Sequence, residues 1–278
     1  MRELDSLQIG HSHTKASDFK IEYEAVNDRH VEVPFSHRHI FYAVYWVHEG
    51  RGKHVIDFKE YDIKPDRVFF IKPEQVHFFH VLDSTKYSAL QFTEEFMMPV
   101  LHHHKLNISV CMDLSPSEAK RLDVLFRQLQ DEADSHLPNS NGIVQSEINT
   151  LLLELERISC PLSNPSVVPD VLRKYQELID AGFKQDRQVG NYAAKLGISP
   201  NYLNVLARKH LGRSALELIN ERVALEAKRM LMETQYDVSE VAFKLGFNEL
   251  SYFSRFFKQH TSSTPLDFRT SMNEMYQR

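Results

Sequence analysis

The spacing of apolar residues changes period along this chain. From Phe35 to Phe96 they come in short dense runs, IFYAVYWV, KHVIDF, RVFFI, VHFFHVL and YSALQF, parted by Glu-Gly-Arg-Gly and Lys-Pro-Glu-Gln. Short runs rich in Val, Ile, Phe and Tyr with Gly or Pro punctuation predict the antiparallel strands of a barrel or sandwich. After Ser115 the period becomes helical. SPSEAKRLDVLFRQLQDEADS opens with Ser115 as N-cap, Pro116 in the first turn and Glu118 closing a capping box, ahead of an apolar stripe of Leu122, Leu125, Phe126 and Leu129. A second amphipathic segment, from Ile143, carries Ile148, Leu151, Leu152, Leu155 and Ile158. Two such helices either cover one end of the barrel or pair with a second chain. Residues 161–169 then hold three prolines among serines and Asn164, which disfavours both helix and central strand and marks a linker.

Beyond the linker one pattern occurs twice. VGNYAAKLGISPNYLNVLARKHLGRSALEL begins at Val189 and VSEVAFKLGFNELSYFSRFFKQHTSSTPLDF at Val238. Lys195-Leu196-Gly197 meets Lys244-Leu245-Gly246 at an offset of 49; Tyr202 meets Tyr252, His210 meets His260 and Leu216 meets Leu266 at 50. A repeat that survives a one-residue insertion in its turn is two copies of one structural unit. Each copy predicts a short helix, a Gly turn and a longer amphipathic helix, which is the order of a DNA-reading helix-turn-helix. Ala193 and Ala242 are small where two helices would cross, and Ile198 and Phe247 would plug the turn. Ser199 and Pro200 suit the start of the helix that follows. Leu203, Leu206 and Leu211, like Phe253, Phe256 and Phe257, form the apolar stripe. The opposite face presents Asn201, Asn204, Arg208 and Lys209 in one copy and Ser251, Ser254, Arg255 and Lys258 in the other, with the chemistry to meet base edges and phosphates.

Residues from about Val171 to Arg269 resemble the DNA-binding domain of the AraC/XylS family of bacterial transcription regulators. The Gly-Phe pair, the Tyr-Phe-Ser-Arg-Phe-Phe-Lys run and the Thr-Pro-Leu-Asp-Phe-Arg ending all stand in the second copy. The first copy departs from the pattern, with Val205 and Ala207 where Arg and Phe are frequent. The resemblance implies a seven-helix domain in which Arg222 to Glu233 is a long helix joining the two units. It also implies double-stranded operator DNA as a partner, a homodimer, and RNA polymerase as a further partner.

Charge fits this division. The net charge of −5 splits into 16 Lys/Arg against 13 Asp/Glu from Asp170 onward and 17 against 25 before it. The half with the repeats is the basic one. No apolar run is long enough to cross a membrane and the N-terminus lacks the apolar core of a signal peptide. Two cysteines, Cys111 and Cys160, agree with a reducing cytoplasm, so a cytoplasmic protein is expected.

In the first half, His37-Arg38-His39 before one strand and Pro73-Glu74-Gln75-Val76-His77 before another resemble the cupin-like barrel that AraC-family members carry as an effector domain. His37, His39 and His77 could form the three-His site of cupin enzymes. A cupin metal site also takes a Glu shortly after the His-x-His, and here Ile40 to Val44 stand in its place. These histidines are therefore read, with Tyr42 and Trp46, as the rim or wall of an effector site, without metal or cofactor. The clusters His11-Ser12-His13 and His102-His103-His104 suggest no ligand geometry.

The expected fold is α+β: an N-terminal antiparallel β-barrel (cupin-like) with flanking helices, then an all-α domain of two helix-turn-helix units. The boundaries are a barrel over 1–112, a helical dimerisation segment over 113–159 using Ile148, Leu151, Leu152 and Leu155, a linker over 160–169, and a DNA-binding domain over 170–278. Its two units span about 189–211 and 238–261. The expected function is sequence-specific transcription regulation under a small-molecule effector, with no enzymatic step. The competing class is a metal-dependent cupin enzyme fused to a DNA-binding module. A third, a DNA-bender without effector, leaves the barrel without a role.

Overall fold

A computed structural model of the chain describes residues 19–27, 36–82, 84–101, 107–159, 169–233 and 236–276. These divide into two compact units, the cut falling between Pro165 and Ser166. The linker residues 160–168 and the clusters at His11–His13 and His102–His104 lie outside the described residues.

The first unit holds eight strands among the described residues: β1 (Phe19–Asn27), β2 (Tyr42–Glu49), β3 (Gly52–Ile56), β4 (Lys59–Ile63), β5 (Arg67–Ile71), β6 (His77–Val81), β7 (Thr85–Phe92) and β8 (Cys111–Asp113). The helices are α1 (Glu94–Leu101), α2 (Pro116–Ser135) and α3 (Ser140–Ser159). All named pairings are antiparallel, in a five-stranded sheet ordered β1-β7-β2-β5-β8 and a three-stranded sheet ordered β4-β3-β6. The expected barrel thus takes the form of two facing sheets. Among the described residues an isolated bridge, His37 to His77, adds the segment before β2 to β6.

The larger sheet is buried on both faces, which is why β2 and β5 read as continuous apolar runs. One face of β2, with Tyr42, Val44 and Trp46, packs with Phe70, Leu90 and Phe92 against Phe126 of α2 and Ile148, Leu151, Leu152 and Leu155 of α3. The other, with Ala43, Tyr45 and Val47, meets Ile56, Ile63 and Phe79 of the smaller sheet. Strand β1 alternates in the manner of a half-buried edge, with Phe19, Ile21 and Tyr23 against the helical layer. The Ser115–Glu118 capping box opens α2 as expected.

The second unit contains seven helices among the described residues: α4 (Asp170–Gly182), α5 (Val189–Lys195), α6 (Pro200–Leu211), α7 (Ala215–Met232), α8 (Val238–Lys244), α9 (Leu250–Thr261) and α10 (Pro265–Tyr276). The joining helix α7 starts seven residues earlier than the expected Arg222, at a capping box formed by Ser214 and Glu217. It is the spine of the unit, with Ile219, Val223, Ala227 and Leu231 fully buried. Its C-terminal carbonyls, left without helical partners, are met by Arg269, whose Nε donates to the Leu231 carbonyl at 2.8 Å.

Candidate nucleic-acid interface and intersheet site

Each helix-turn-helix is built by local signals. Gly197 and Gly246 follow α5 and α8 with φ of +68° and +80°, a left-handed conformation that costs a residue with a Cβ energy. Gly246 has a second reason to be Gly: a Cβ there would stand 2.7 Å from the Lys184 carbonyl oxygen. Ala193 and Ala242 are fully buried at the helix crossings, and Phe247 is buried in its turn, whereas Ile198 is only half-buried. Ser199 caps α6 by accepting from the Tyr202 amide at 3.2 Å, and Pro200 stands in its first turn.

The helices that follow, α6 and α9, share one exposure pattern position for position. Leu203 and Ala207 are buried where Phe253 and Phe257 are buried, while Leu206, Leu211 and Phe256 are half-buried. Asn201, Arg208 and Lys209 of α6 are exposed, as are Ser251, Arg255 and Lys258 of α9. Asn204 and Ser254 differ from the expectation of a free polar face, being half-buried. The Asn204 amide oxygen accepts from the Ala215 backbone N–H at 2.9 Å and satisfies an orphan donor at the start of α7. That bond commits the Asn204 amide oxygen to the fold. Three further residues stand on the reading faces: Tyr202 at 51%, Val205 at 54% and Tyr252 at 58% exposure. The Tyr202–Tyr252 equivalence in the repeat was the signal for the first and last.

Within the second unit, the two helix-turn-helix copies are tied to each other. The Arg187 guanidinium, on the loop before α5, stacks 3.9 Å from the Phe247 ring centroid and donates to the Leu245 carbonyl. Burial of this guanidinium lowers its pKa from the usual value.

In the first unit the five residues grouped as an effector wall fall on two sides of the larger sheet. Tyr42 stacks with Phe70 and Phe92 at 5.9 and 5.3 Å, and Trp46 meets Phe126 at 5.9 Å; both belong to the helical side. His39 and His77 lie between the sheets, where His37 and His77 approach to 4.2 Å between ring centroids and His39 and His77 to 5.0 Å. Strand alternation separates the groups, because residues of even number in β2 point away from the layer that Tyr45 enters. The sequence reading missed His54, fully buried, whose Nε2 lies 3.2 Å from His77 Nδ1. Its place in KHVIDF, two residues before the inward Ile56, was the available clue. His39 Nδ1 donates to the Phe41 carbonyl at 2.7 Å, so its neutral ring carries the lone pair on Nε2. Burial pushes the His39 pKa down to about 4, and burial with neighbouring imidazoles pushes His54 and His77 well below the usual value. Among the described residues no three of His, Cys, Asp and Glu are arranged to hold a metal ion.

The four residues expected at a dimer interface, Ile148, Leu151, Leu152 and Leu155, are all fully buried within the chain. They close the core over the larger sheet and are not available to a partner. Apolar side chains that are exposed on these helices include Val124 at 53% and Leu153 at 44%. No helix of the described residues is long and apolar enough to cross a membrane.

A β domain followed by two matched helix-turn-helix units on one spine defines a transcription regulator whose DNA-binding and ligand-binding parts are separate. Residues 20–155 match the AraC-like ligand binding domain and residues 192–271 match a helix-turn-helix domain. The chain belongs to the AraC family of transcription regulators. Over 277 residues it is 24% identical to the HTH-type transcriptional regulator YfiF of Bacillus subtilis (strain 168), covering 92% of this chain and 85% of that one. It is 23% identical over 255 residues to the HTH-type transcriptional activator RhaR of Enterobacter sp. (strain 638), covering 88% and 90%. The regulatory protein PocR of Salmonella typhimurium is 28% identical over 103 residues, which are 37% of this chain and 34% of that protein.

Proposed function

We propose that this regulator acts as a homodimer, binding operator DNA with α6 and α9 of each chain in successive major grooves, and that a small molecule held by the intersheet region controls it. The observation that carries the reading is the shared exposure pattern of α6 and α9. Two equivalent helices of one compact unit can enter grooves roughly 34 Å apart on one face of the duplex. Arg255 reads a base edge, since its donor fork suits guanine O6 and N7; Arg208, Lys209 and Lys258 meet phosphates. The first unit carries out no reaction in this reading, and its ligand is an effector. We assign the dimer contact to the exposed Val124 and Leu153.

A titration with cognate and random DNA tests the assignment. Arg255→Ala should cost about 1–3 kcal/mol at the cognate site and relax preference there, while Lys258→Ala should weaken all sequences and reduce the salt slope by about 1. Equal loss on cognate and random DNA for Arg255→Ala would reduce it to a phosphate contact.

A further inference from the structure

Position 205 is where the two reading helices differ most in chemistry. Val205 of α6 and Arg255 of α9 are equivalent in the repeat, both exposed and both one turn beyond the first polar residue of their helix, Asn201 and Ser251. An exposed valine alone means little. This one stands in the middle of a reading face, between Tyr202 on one side and Arg208 and Lys209 on the other. Its possible polar stand-in, Asn204, is held by the Ala215 amide. The centre of the first reading helix is therefore an apolar surface flanked by polar and cationic groups.

Only one feature of a base pair's major-groove edge matches such a surface. Guanine offers two acceptors, cytosine a donor and adenine one of each, whereas thymine adds a C5 methyl group. A valine pressed on a guanine or cytosine edge strips water from polar atoms and returns no hydrogen bond. Pressed on a thymine methyl, it buries two apolar groups against each other. We infer that Val205 selects thymine in the half-site read by α6, through contact of its methyl groups with the thymine C5 methyl, while Arg255 selects guanine at the equivalent position of the half-site read by α9. The inference rests on the DNA-binding reading given above and makes it more specific. One chain reads two different words, about one helical turn apart, so the operator is asymmetric within each chain's footprint.

Uracil supplies the test, because it differs from thymine only in lacking that methyl. The full chain is used to enrich a binding site from random duplexes, and each thymine of that site is then replaced in turn by deoxyuridine. One replacement should weaken wild-type binding about fourfold, the equivalent of one buried methyl. Val205→Ala should bind more weakly and lose sensitivity to that replacement while keeping its guanine preference in the other half-site. Val205→Arg should turn the preference at the same position toward guanine. A site whose every thymine can become uracil without cost, or a Val205→Ala variant that keeps the full penalty, overturns the inference and leaves the DNA-binding reading intact. Failure to enrich any sequence over random DNA overturns both.

Discussion

Lowering the pH from 7.5 to 5.0 should destabilise the first unit through its intersheet histidines. His39 is 3% exposed, its pKa is held down to about 4, and its Nδ1–H is committed to the Phe41 carbonyl. In the unfolded chain the same group titrates near 6.5. Between about pH 6.5 and 4 the unfolded state binds the extra proton and the folded state does not, so stability falls as pH falls through that window. At pH 5 the difference amounts to about 2 kcal/mol from His39 alone, and the depressed pKa values of His54 and His77 act in the same direction. Staying at or above pH 5 keeps most carboxylates out of the titration. Trp46 is the only tryptophan of the chain and is buried against α2, so its fluorescence in urea reports this unit. The urea midpoint should drop between pH 7.5 and 5.0, and His39→Gln, which cannot titrate, should flatten the slope. A midpoint unchanged over this range, or a slope equally steep in His39→Gln, would mean that the imidazole is not held neutral by burial.

Other substitutions separate structure from recognition. Gly197→Ala should cost about 1–2 kcal/mol, the strain of a left-handed Ala, and Gly246→Ala distinctly more, because its Cβ also meets the Lys184 carbonyl; thermal unfolding of both variants ranks them, and equal costs would refute the contact. Leu151→Glu places a charge in a fully buried position and should unfold the first unit, whereas Leu153→Glu should leave it folded and shift light scattering from dimer toward monomer. A folded Leu151→Glu protein would refute the packing of α3, and an intact Leu153→Glu dimer would move the interface elsewhere.

What the sequence disclosed was what is written locally. The helix-turn-helix units declare themselves through Gly197, Gly246, Ser199 and the apolar spacing, each acting within a few residues of its partner. The capping box at Ser115 is equally local. What stayed hidden depends on contacts between distant segments. Periodicity says that a face of α3 is covered and not by what, so Leu151 and Leu155 were given to a partner when the chain's own sheet takes them. The run from Phe41 to Val47 is apolar on both faces, so nothing in it told Trp46 from Tyr45. Asn204 looked free because its bond to Ala215 crosses eleven residues and a turn, joining the middle of one reading helix to the start of the spine.

The stack of Arg187 on Phe247 and the carbonyl of Lys184 beneath Gly246 also bear on how target promoters can change over time. With the loop before α5 fastened to the turn before α9, the separation of the two readers belongs to the protein. A base pair inserted between half-sites turns the second groove by about 35°, one step of a duplex with 10–10.5 base pairs per turn. The protein cannot follow, so the DNA must untwist or bend at its own elastic cost. On the proposed two-groove reading, operators for this regulator should thus be held in helical phase, with the spacing between half-sites constrained as strictly as the letters within them.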